Sequence, residues 1–351
     1  MRYVDRIIDH ISTPIGRYKP YFNPSSGTMS PLVQIASAAV HRPRINQPSI
    51  KPLSMEQSPD PTSNLSVLIQ QAVDSARAFL KANARCLKSI TNTGVCIEEN
   101  FAQLLMQEVV DDMSLVDVKR SPRLYNFFKK GGELTTAIFP CDLDTTSVGL
   151  RVFGPQDSQT LEAIMNQMLE HRDENGIVQV YFDKSRQRTD PVVCLNVLTL
   201  FYKYGRGSDL NETLQYAYGV LRNRGYTYGT RYYQTAEVFL YFAVIFTEES
   251  GSEDIRKKWT PLLRVRLMEL ILTGSKSVDP LSTAIRILLS TKLELASDPV
   301  DVYDLLRMRN KNGSWTGGWF YKYGSSGILI ENAGFTTAIA LKALTTLKNM
   351  T

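Results

Sequence analysis

The feature that most constrains this chain is a repeat of apolar segments at intervals of about 45 residues. Each segment opens with a small or polar residue and continues as an apolar run of helical length. Polar-faced helical stretches, such as SQTLEAIMNQMLEHR and LNETLQYAYGVLRNR, lie between them. The five apolar runs begin at Asp144, Asp190, Thr235, Asp279 and Phe335. A period of this length built from two helices is typical of a helical-hairpin repeat.

Such hairpins stack either into an open solenoid or into a closed ring of inner and outer helices. The apolar runs are hydrophobic on nearly all sides, so they need cover all round and would form the inner wall. We favour the ring because aromatic residues crowd the loops that enter the inner helices, from Tyr181 and Phe182 to Trp315. The prediction is an all-α protein, an α/α barrel (toroid) whose inner helices begin on one rim around an apolar cavity.

The domain boundary is predicted from a change in composition. Residues 41–64 are rich in proline and serine and lack apolar periodicity, which is typical of a connector. Helical periodicity starts directly afterwards, in the segment SNLSVLIQQAVDSARAFLKANARCL. We therefore predict an N-terminal arm and connector over residues 1–63 and a barrel domain over residues 64–351.

Charge and cysteine content argue against several classes of protein. The 40 Lys and Arg against 35 Asp and Glu give a net charge of +5, which is mild for 351 residues, so nucleic acid is not the expected partner. The four cysteines form no CxxC pair and the three histidines lie far from them, which argues against zinc and disulfides. Without a signal-peptide core or a long apolar run, the chain is expected to be soluble and cytoplasmic, with no membrane span.

The sharpest chemical motif is FPCDLDTTS, in which Asp142 and Asp144 stand at the start of an inner helix. Two carboxylates this close in an apolar, closed site cannot both ionise cheaply, so one keeps its proton. Free Asp has a pKa of about 3.9, and burial with a like charge can raise it by roughly 3 units or more. A protonated carboxylic acid in an apolar cup is what protonating an alkene or epoxide requires. The alternative is that one of these aspartates only caps the helix.

The motif DLDTTS resembles the acid motif of squalene-hopene and diterpene class II cyclases, and it is closer to the DxDTT form of drimane-type sesquiterpene cyclases, including fungal haloacid-dehalogenase-like terpene cyclases. The similarity continues through RNRGYTYGTRYYQTAEVFLYF and NGSWTGGWFYKYG and spans roughly residues 131–344. It implies a barrel like the terpene cyclase β-domain. It also implies that Asp144 is the proton donor, with Asp142 its neighbour and Thr145 and Thr146 the hydroxyl residues that follow.

The same resemblance implies a reaction. A linear isoprenoid diphosphate, with farnesyl diphosphate as the expected substrate, would be protonated and would close to a bicyclic drimane-type diphosphate. The fungal relatives in question carry a phosphatase-like domain upstream, for which this chain has no room. Removal of the diphosphate would therefore fall to a separate phosphatase acting on the product.

Cyclisation chemistry predicts two kinds of substrate-binding residue. A migrating carbocation has no hydrogen-bond partner, so aromatic ring faces stabilise it, by about 2 kcal/mol each when desolvated. Basic residues beside helix N-termini would bind the diphosphate, and Mg²⁺ is expected to accompany it, although no carboxylate spacing identifies its ligands. The candidates are the aromatic residues Tyr232, Tyr233, Trp315, Trp319 and Phe320 and the cations Lys184, Arg186, Arg188 and Arg231. The competing interpretations are aromatic packing at the barrel rim and a solvated basic loop.

Two other functions stay open at this level. AIFPCDLDTTS also resembles the first motif of haloacid dehalogenase phosphatases, in which a strand ends in the DxD motif and its first aspartate is the nucleophile. Pro140 directly before the pair and the helical repeats downstream argue against it. The other alternative is a non-catalytic helical-repeat binding protein whose aspartates are caps.

Overall fold

The protein is described here from a computed structural model, in which residues 61–272, 278–324 and 326–350 are defined. One compact unit begins at Pro61. The predicted arm and connector, residues 1–63, lie outside the described residues except for their last three positions.

Helices dominate the described residues. The first five are α1 (Pro61–Ala82), α2 (Phe101–Val110), α3 (Leu143–Phe153), α4 (Ser158–Leu169) and α5 (Pro191–Lys203). A 3₁₀ turn (Gly207–Leu210) leads into α6 (Asn211–Arg222), α7 (Ala236–Glu249), α8 (Glu253–Leu272), α9 (Pro280–Lys292), α10 (Pro299–Arg307) and α11 (Ala333–Lys348). The short strands are β1 (Ser89–Thr91), β2 (Cys96–Ile97), β3 (Tyr321–Lys322) and β4 (Leu329–Glu331).

Six helices close into an inner ring. Going round it, α2 contacts α3, α3 contacts α5, and the sequence continues through α7, α9 and α11 back to α2. Every residue of α7 from Ala236 to Thr247 is buried, and so is every residue of α9 from Pro280 to Thr291. The outer helix α6 packs on α5, α8 on α7, α10 on α9, and α1 on α11. The predicted α/α barrel is confirmed, and the open solenoid is wrong.

The starts of the inner helices follow from local sequence. Asp190 and Asp279 are N-caps, and each is followed by proline at the first helical position, where its fixed φ and missing N–H suit a helix start. Asp142 caps α3 and Asn332 caps α11 in the same way, each accepting a backbone N–H three residues on. The five predicted inner helices therefore begin within two residues of the predicted positions.

The sixth inner helix, α2, was not predicted. It lies upstream of the repeat, and it fills the gap between α3 and α11 that would otherwise leave the ring open. A small antiparallel sheet in the order β2-β1-β4-β3 connects this region with the loop before α11, pairing Ile90 with Glu331 and Tyr321 with Ile330. The sheet thereby places Tyr321 and Lys322 beside the start of α2.

No helix in the described ranges combines the length and apolar character needed to cross a membrane. The predicted cytoplasmic location stays a prediction.

Candidate active site

Asp142 is the N-cap of α3. Its backbone is extended, and its Oδ1 accepts the backbone N–H of Thr145 at 2.6 Å while Oδ2 accepts the Thr145 hydroxyl at 3.0 Å. The predicted capping role therefore applies to Asp142. Thr145 and Thr146 differ in position: Thr145 faces the cavity, whereas the Thr146 hydroxyl fixes the neighbouring loop through the backbone of Tyr125.

Asp144 lies in the first turn of α3 and does not cap it. The residue is 7% exposed, so its carboxyl is almost fully removed from water. Oδ1 accepts an N–H from the Asn196 side chain of α5 at 2.7 Å, and Oδ2 forms a short hydrogen bond with the Tyr233 hydroxyl. Asn196 of α5 and Tyr233 of the loop before α7 therefore hold the Asp144 carboxyl group in a fixed orientation.

A buried arginine sets the orientation of the Asn196 amide. Arg151 Nη1 donates to Asn196 Oδ1 at 3.0 Å, so the amide nitrogen of Asn196 must face Asp144. Arg151 is itself held by Glu108, with Nη2 to Oε1 at 2.8 Å. Neither Asn196 nor Arg151 was identified from the sequence. The available signal was a large polar side chain, Arg151 or Asn196, within the apolar part of an inner helix.

Burial raises the pKa of both aspartates. For Asp142 the pKa rises to about 7 because of burial and then the charge of Asp144. Burial likewise raises the pKa of Asp144 to about 7, and the hydrogen bonds from Tyr233 and Asn196 oppose that rise. Backbone amides stabilise ionised Asp142, whereas Asp144 receives side-chain donors only, one of them a hydroxyl that can also accept. This difference in donors makes Asp144 the carboxyl group better suited to hold a proton.

Both aspartates face a cavity of about 320 Å³. Its walls come from the starts of α2, α3 and α5 and from the loops that precede α7 and α11. The start of α9, which was predicted to share this rim, contributes no residue to the described lining. Its apolar and aromatic lining consists of Phe101, Phe127, Phe139, Val180, Tyr181, Val193, Tyr232, Tyr233, Tyr321 and Tyr323. A volume of this size is within the range of small-molecule sites.

The predicted cations occupy different positions. Arg186, Arg188 and Arg231 line the cavity, whereas Lys184 is exposed and lies outside its lining. Arg186 pairs with Asp183 at 3.4 Å. Arg188 and Arg231 form no ion pair with any described residue, which leaves their charge available to a ligand. The structure adds Lys322, whose ammonium group is half-buried beside them and whose pKa burial lowers.

The predicted aromatic residues also divide into two groups. Tyr232 and Tyr233 line the cavity. The other three are not part of its lining: Trp315 is buried with its Nε1 donating to the Leu305 carbonyl at 2.7 Å, Phe320 packs on Phe335 at 4.7 Å between ring centroids, and Trp319 is half-buried. For Trp315 and Phe320, packing explains the position.

The phosphatase alternative required a strand before Asp142 and a parallel sheet. In the described ranges no strand precedes Asp142 directly, and the strands present pair antiparallel. That alternative is wrong, because the aspartate pair begins an inner helix of the ring.

Within the described residues, no group of three or more His, Cys, Asp and Glu side chains could hold a metal ion. The rim of the cavity carries arginine and lysine, and the carboxyl groups of Asp142 and Asp144 are engaged by protein donors. These residues do not fit a resident Mg²⁺ ion, which prefers several oxygen ligands.

Comparison with known proteins agrees with this geometry. Residues 73–204 match the family described as the sesquiterpene cyclase astC-like C-terminal domain. Drimenol cyclase drtB from Aspergillus calidoustus is 40% identical over 267 residues, which are 76% of this chain and 50% of that protein. The chain thus spans about half the length of this curated relative.

Solved structures show the same fold. A variant of the type II terpene cyclase MstE from Scytonema, in complex with its substrate geranylgeranyl dihydroxybenzoate, matches with a TM-score of 0.56 and 14% identity, over 82% of this chain and 100% of that chain. The apo form of MstE matches with a TM-score of 0.56 and 14% identity, over 82% and 99% of the two chains. The barrel is therefore the fold of type II terpene cyclases, and the resemblance stated from the DLDTTS motif is confirmed.

Proposed function

We propose that this protein is a class II terpene cyclase, an isomerase that acts on a linear isoprenoid diphosphate. The premise is the match of residues 73–204 to the astC-like sesquiterpene cyclase C-terminal domain. The substrate we propose is farnesyl diphosphate and the product a bicyclic drimane-type diphosphate. The observation that carries the proposal is the buried Asp144, whose pKa burial raises to about 7, on an aromatic cavity. At the rim of this cavity, Arg188 and Arg231 form no ion pair with a described residue.

The first step uses Asp144 as the acid. The π electrons of the terminal alkene form a C–H bond with the proton of Asp144 Oδ2, and positive charge develops on the adjacent carbon that bears two methyl groups. The carboxylate left behind gains from its bonds to Asn196 and Tyr233, because hydrogen bonds to a charged acceptor are stronger than to a neutral one. Those donors therefore favour proton release in the transition state.

Ring closure then follows without further help from an acid. Each remaining double bond attacks the cation in turn. The last cation then loses a proton to a water molecule to give the product alkene, and Asp144 regains a proton from water before the next turnover. One proton enters and one leaves, so the overall reaction is an isomerisation. The aromatic ring faces of the lining stabilise the intermediate cations.

The diphosphate would lie at the rim, against Arg188, Arg231 and Lys322. Mg²⁺ would arrive bound to the diphosphate oxygens and water rather than to a protein site. Because these side chains hold the diphosphate while Asp144 protonates the opposite end of the substrate, the C–O bond to the diphosphate stays intact. A phosphatase acting on the released product would complete the route to an alcohol.

The anion site gives a direct prediction. Replacing Arg188 or Arg231 with Ala should weaken binding of farnesyl diphosphate by about 1 to 3 kcal/mol, the scale of a charged hydrogen bond. Binding can be measured by calorimetry on the purified protein. Lys184→Ala is the matched control, since it removes the same charge from the same loop but outside the cavity, and it should leave the affinity unchanged. Equal affinity in both arginine variants and wild type would remove them from the site.

The function itself is tested by incubating the protein with farnesyl diphosphate and Mg²⁺ and analysing the products by mass spectrometry, before and after added phosphatase. A bicyclic product that becomes extractable only after phosphatase treatment supports the proposal. Unchanged substrate would favour the non-catalytic binding protein instead.

A further inference from the structure

A second buried carboxyl group lies next to the cavity, away from the aspartate pair. Glu99 directly precedes the start of α2 and is 2% exposed. Its Oε1 accepts the Ser89 hydroxyl at 2.6 Å and the Tyr321 hydroxyl at 2.7 Å, and its Oε2 accepts the backbone N–H of Ala102 at 2.9 Å. The reaction as proposed above gives this group no role.

The donors around Glu99 favour the carboxylate form of this group. The Ala102 amide can only donate, and the Ser89 oxygen already accepts the Asn332 side-chain amide at 3.0 Å, which directs the Ser89 proton to Glu99. Burial raises the pKa of Glu99, and these three hydrogen bonds oppose that rise. Glu99 also lies beside the N-terminal turn of α2, where the partial positive charge of the helix dipole favours a negative side chain.

Glu99 has no cationic partner in the described part of the chain. No described Lys, Arg or His forms an ion pair with it, whereas Asp301, another buried carboxylate, is paired with Arg286. A buried charge without an opposite charge is costly, because neutral donors replace only part of its hydration. The site is therefore electrostatically suited to a positive charge that a ligand brings.

Tyr321 connects this charge to the cavity. Its hydroxyl donates to Glu99, and the residue itself belongs to the cavity lining. A phenol that donates to a carboxylate takes on some phenolate character, so its ring becomes a better partner for a cation. Phe101 lies between the two ends of the site, 6.3 Å from the Tyr233 ring and 6.1 Å from the Tyr321 ring. Asp144 and the Glu99–Tyr321 pair thus lie at different walls of the cavity.

We propose that Glu99 and Tyr321 form a second electrostatic site, which stabilises the carbocation after Asp144 has created it. Tyr321 contacts the cation, and Glu99 is a positioning residue that acts through the Tyr321 ring. This inference rests on the proposed cyclase function, since only that reaction brings a cation into the cavity. Weakening the interaction between Glu99 and Tyr321 should raise the share of product that is released after only one ring has closed.

The test separates charge from shape. The probes are a bicyclic tertiary ammonium ion, which imitates the cation and lacks a diphosphate, and the neutral hydrocarbon of the same shape. Tyr321→Phe keeps the ring and removes its bond to Glu99, and Glu99→Gln removes the charge. Each variant should bind the ammonium ion about tenfold more weakly than wild type and the hydrocarbon equally well. Tyr226→Phe is the control: it makes the same change at a buried tyrosine outside the cavity lining and should leave the binding of both probes unchanged.

Two results would overturn the inference: unchanged ammonium affinity in Tyr321→Phe, or an equal loss of affinity for both probes, which would show a structural role. If Glu99→Gln does not fold, the affinities of Tyr321→Phe for the two probes decide between support and refutation on their own. Product analysis adds an independent reading, because the ratio of monocyclic to bicyclic product should rise in Tyr321→Phe. Failure of wild type to cyclise farnesyl diphosphate would refute the proposed function, whereas binding of the two probes needs no turnover.

Discussion

Asp144→Asn is expected to reduce cyclisation by at least the roughly 10²–10⁴-fold that is typical of losing a general acid. The asparagine side chain can keep both contacts, accepting from Asn196 and donating to the Tyr233 oxygen, so the melting temperature should stay near that of wild type. It cannot deliver a proton to carbon. Turnover of farnesyl diphosphate by equal amounts of folded protein measures the loss.

Asp142→Asn is the matched comparison. An asparagine caps a helix about as well as an aspartate, so α3 should form normally and part of the activity should survive. Removing the neighbouring negative charge makes it easier for Asp144 to ionise, because like charges oppose ionisation. If Asp142→Asn abolishes cyclisation while Asp144→Asn retains it, the acid is the other carboxyl group.

The pH dependence follows from the same pair. The acid must be protonated to act, so the wild-type rate should fall as pH rises through about 7. Asp142→Asn should move this fall to lower pH, since the pKa of Asp144 then drops. A rate that instead rises through pH 7 would indicate an essential base rather than an acid.

The largest expected effect on stability is that of Arg286→Met. Arg286 of α9 donates Nη1 to Glu237 of α7 at 2.7 Å and Nε to Asp301 of α10 at 2.9 Å, and the side chains of all three are at most 3% exposed. The variant deprives two buried carboxylates of this partner, which typically destabilises a protein by about 3–5 kcal/mol. Denaturant unfolding measures the change.

Arg256→Met provides the control for that prediction. Arg256 pairs with Glu253 on the outer surface, where both side chains are more than half exposed, so the cost should stay below about 1 kcal/mol. Equal unfolding midpoints for the two variants would show that the Arg286 cluster does not hold the inner ring together.

The sequence was sufficient to predict the ring because the inner helices carry strong local signals. Asp190 and Asp279 each stand before proline and a largely apolar run. A few residues therefore indicate where the helix starts, that it is a helix, and that it is buried. The α2 helix has no such counterpart in the repeat. Its role depends on closing the ring between α3 and α11, which is a long-range contact that periodicity does not contain.

The aspartate pair was predictable for the same reason, since both carboxyl groups lie on one short motif. Their partners were not. Asn196 lies 52 residues and Tyr233 lies 89 residues further along the chain from Asp144, and only the packing of α3, α5 and the loop before α7 brings them together. Aromatic composition alone could not separate Tyr233, which lines the cavity, from Trp315, which packs below it with its indole N–H bonded to a carbonyl.

The central claim is that this protein starts cyclisation by protonating carbon, and deuterium labelling tests it most directly. The purified protein is incubated with farnesyl diphosphate and Mg²⁺ in D₂O, and the product is examined by mass spectrometry and NMR. Protonation from Asp144 predicts a bicyclic product that retains its diphosphate and carries deuterium on the ring carbon next to the dimethyl carbon. A cyclic product without deuterium there, formed with release of inorganic diphosphate, would contradict the account.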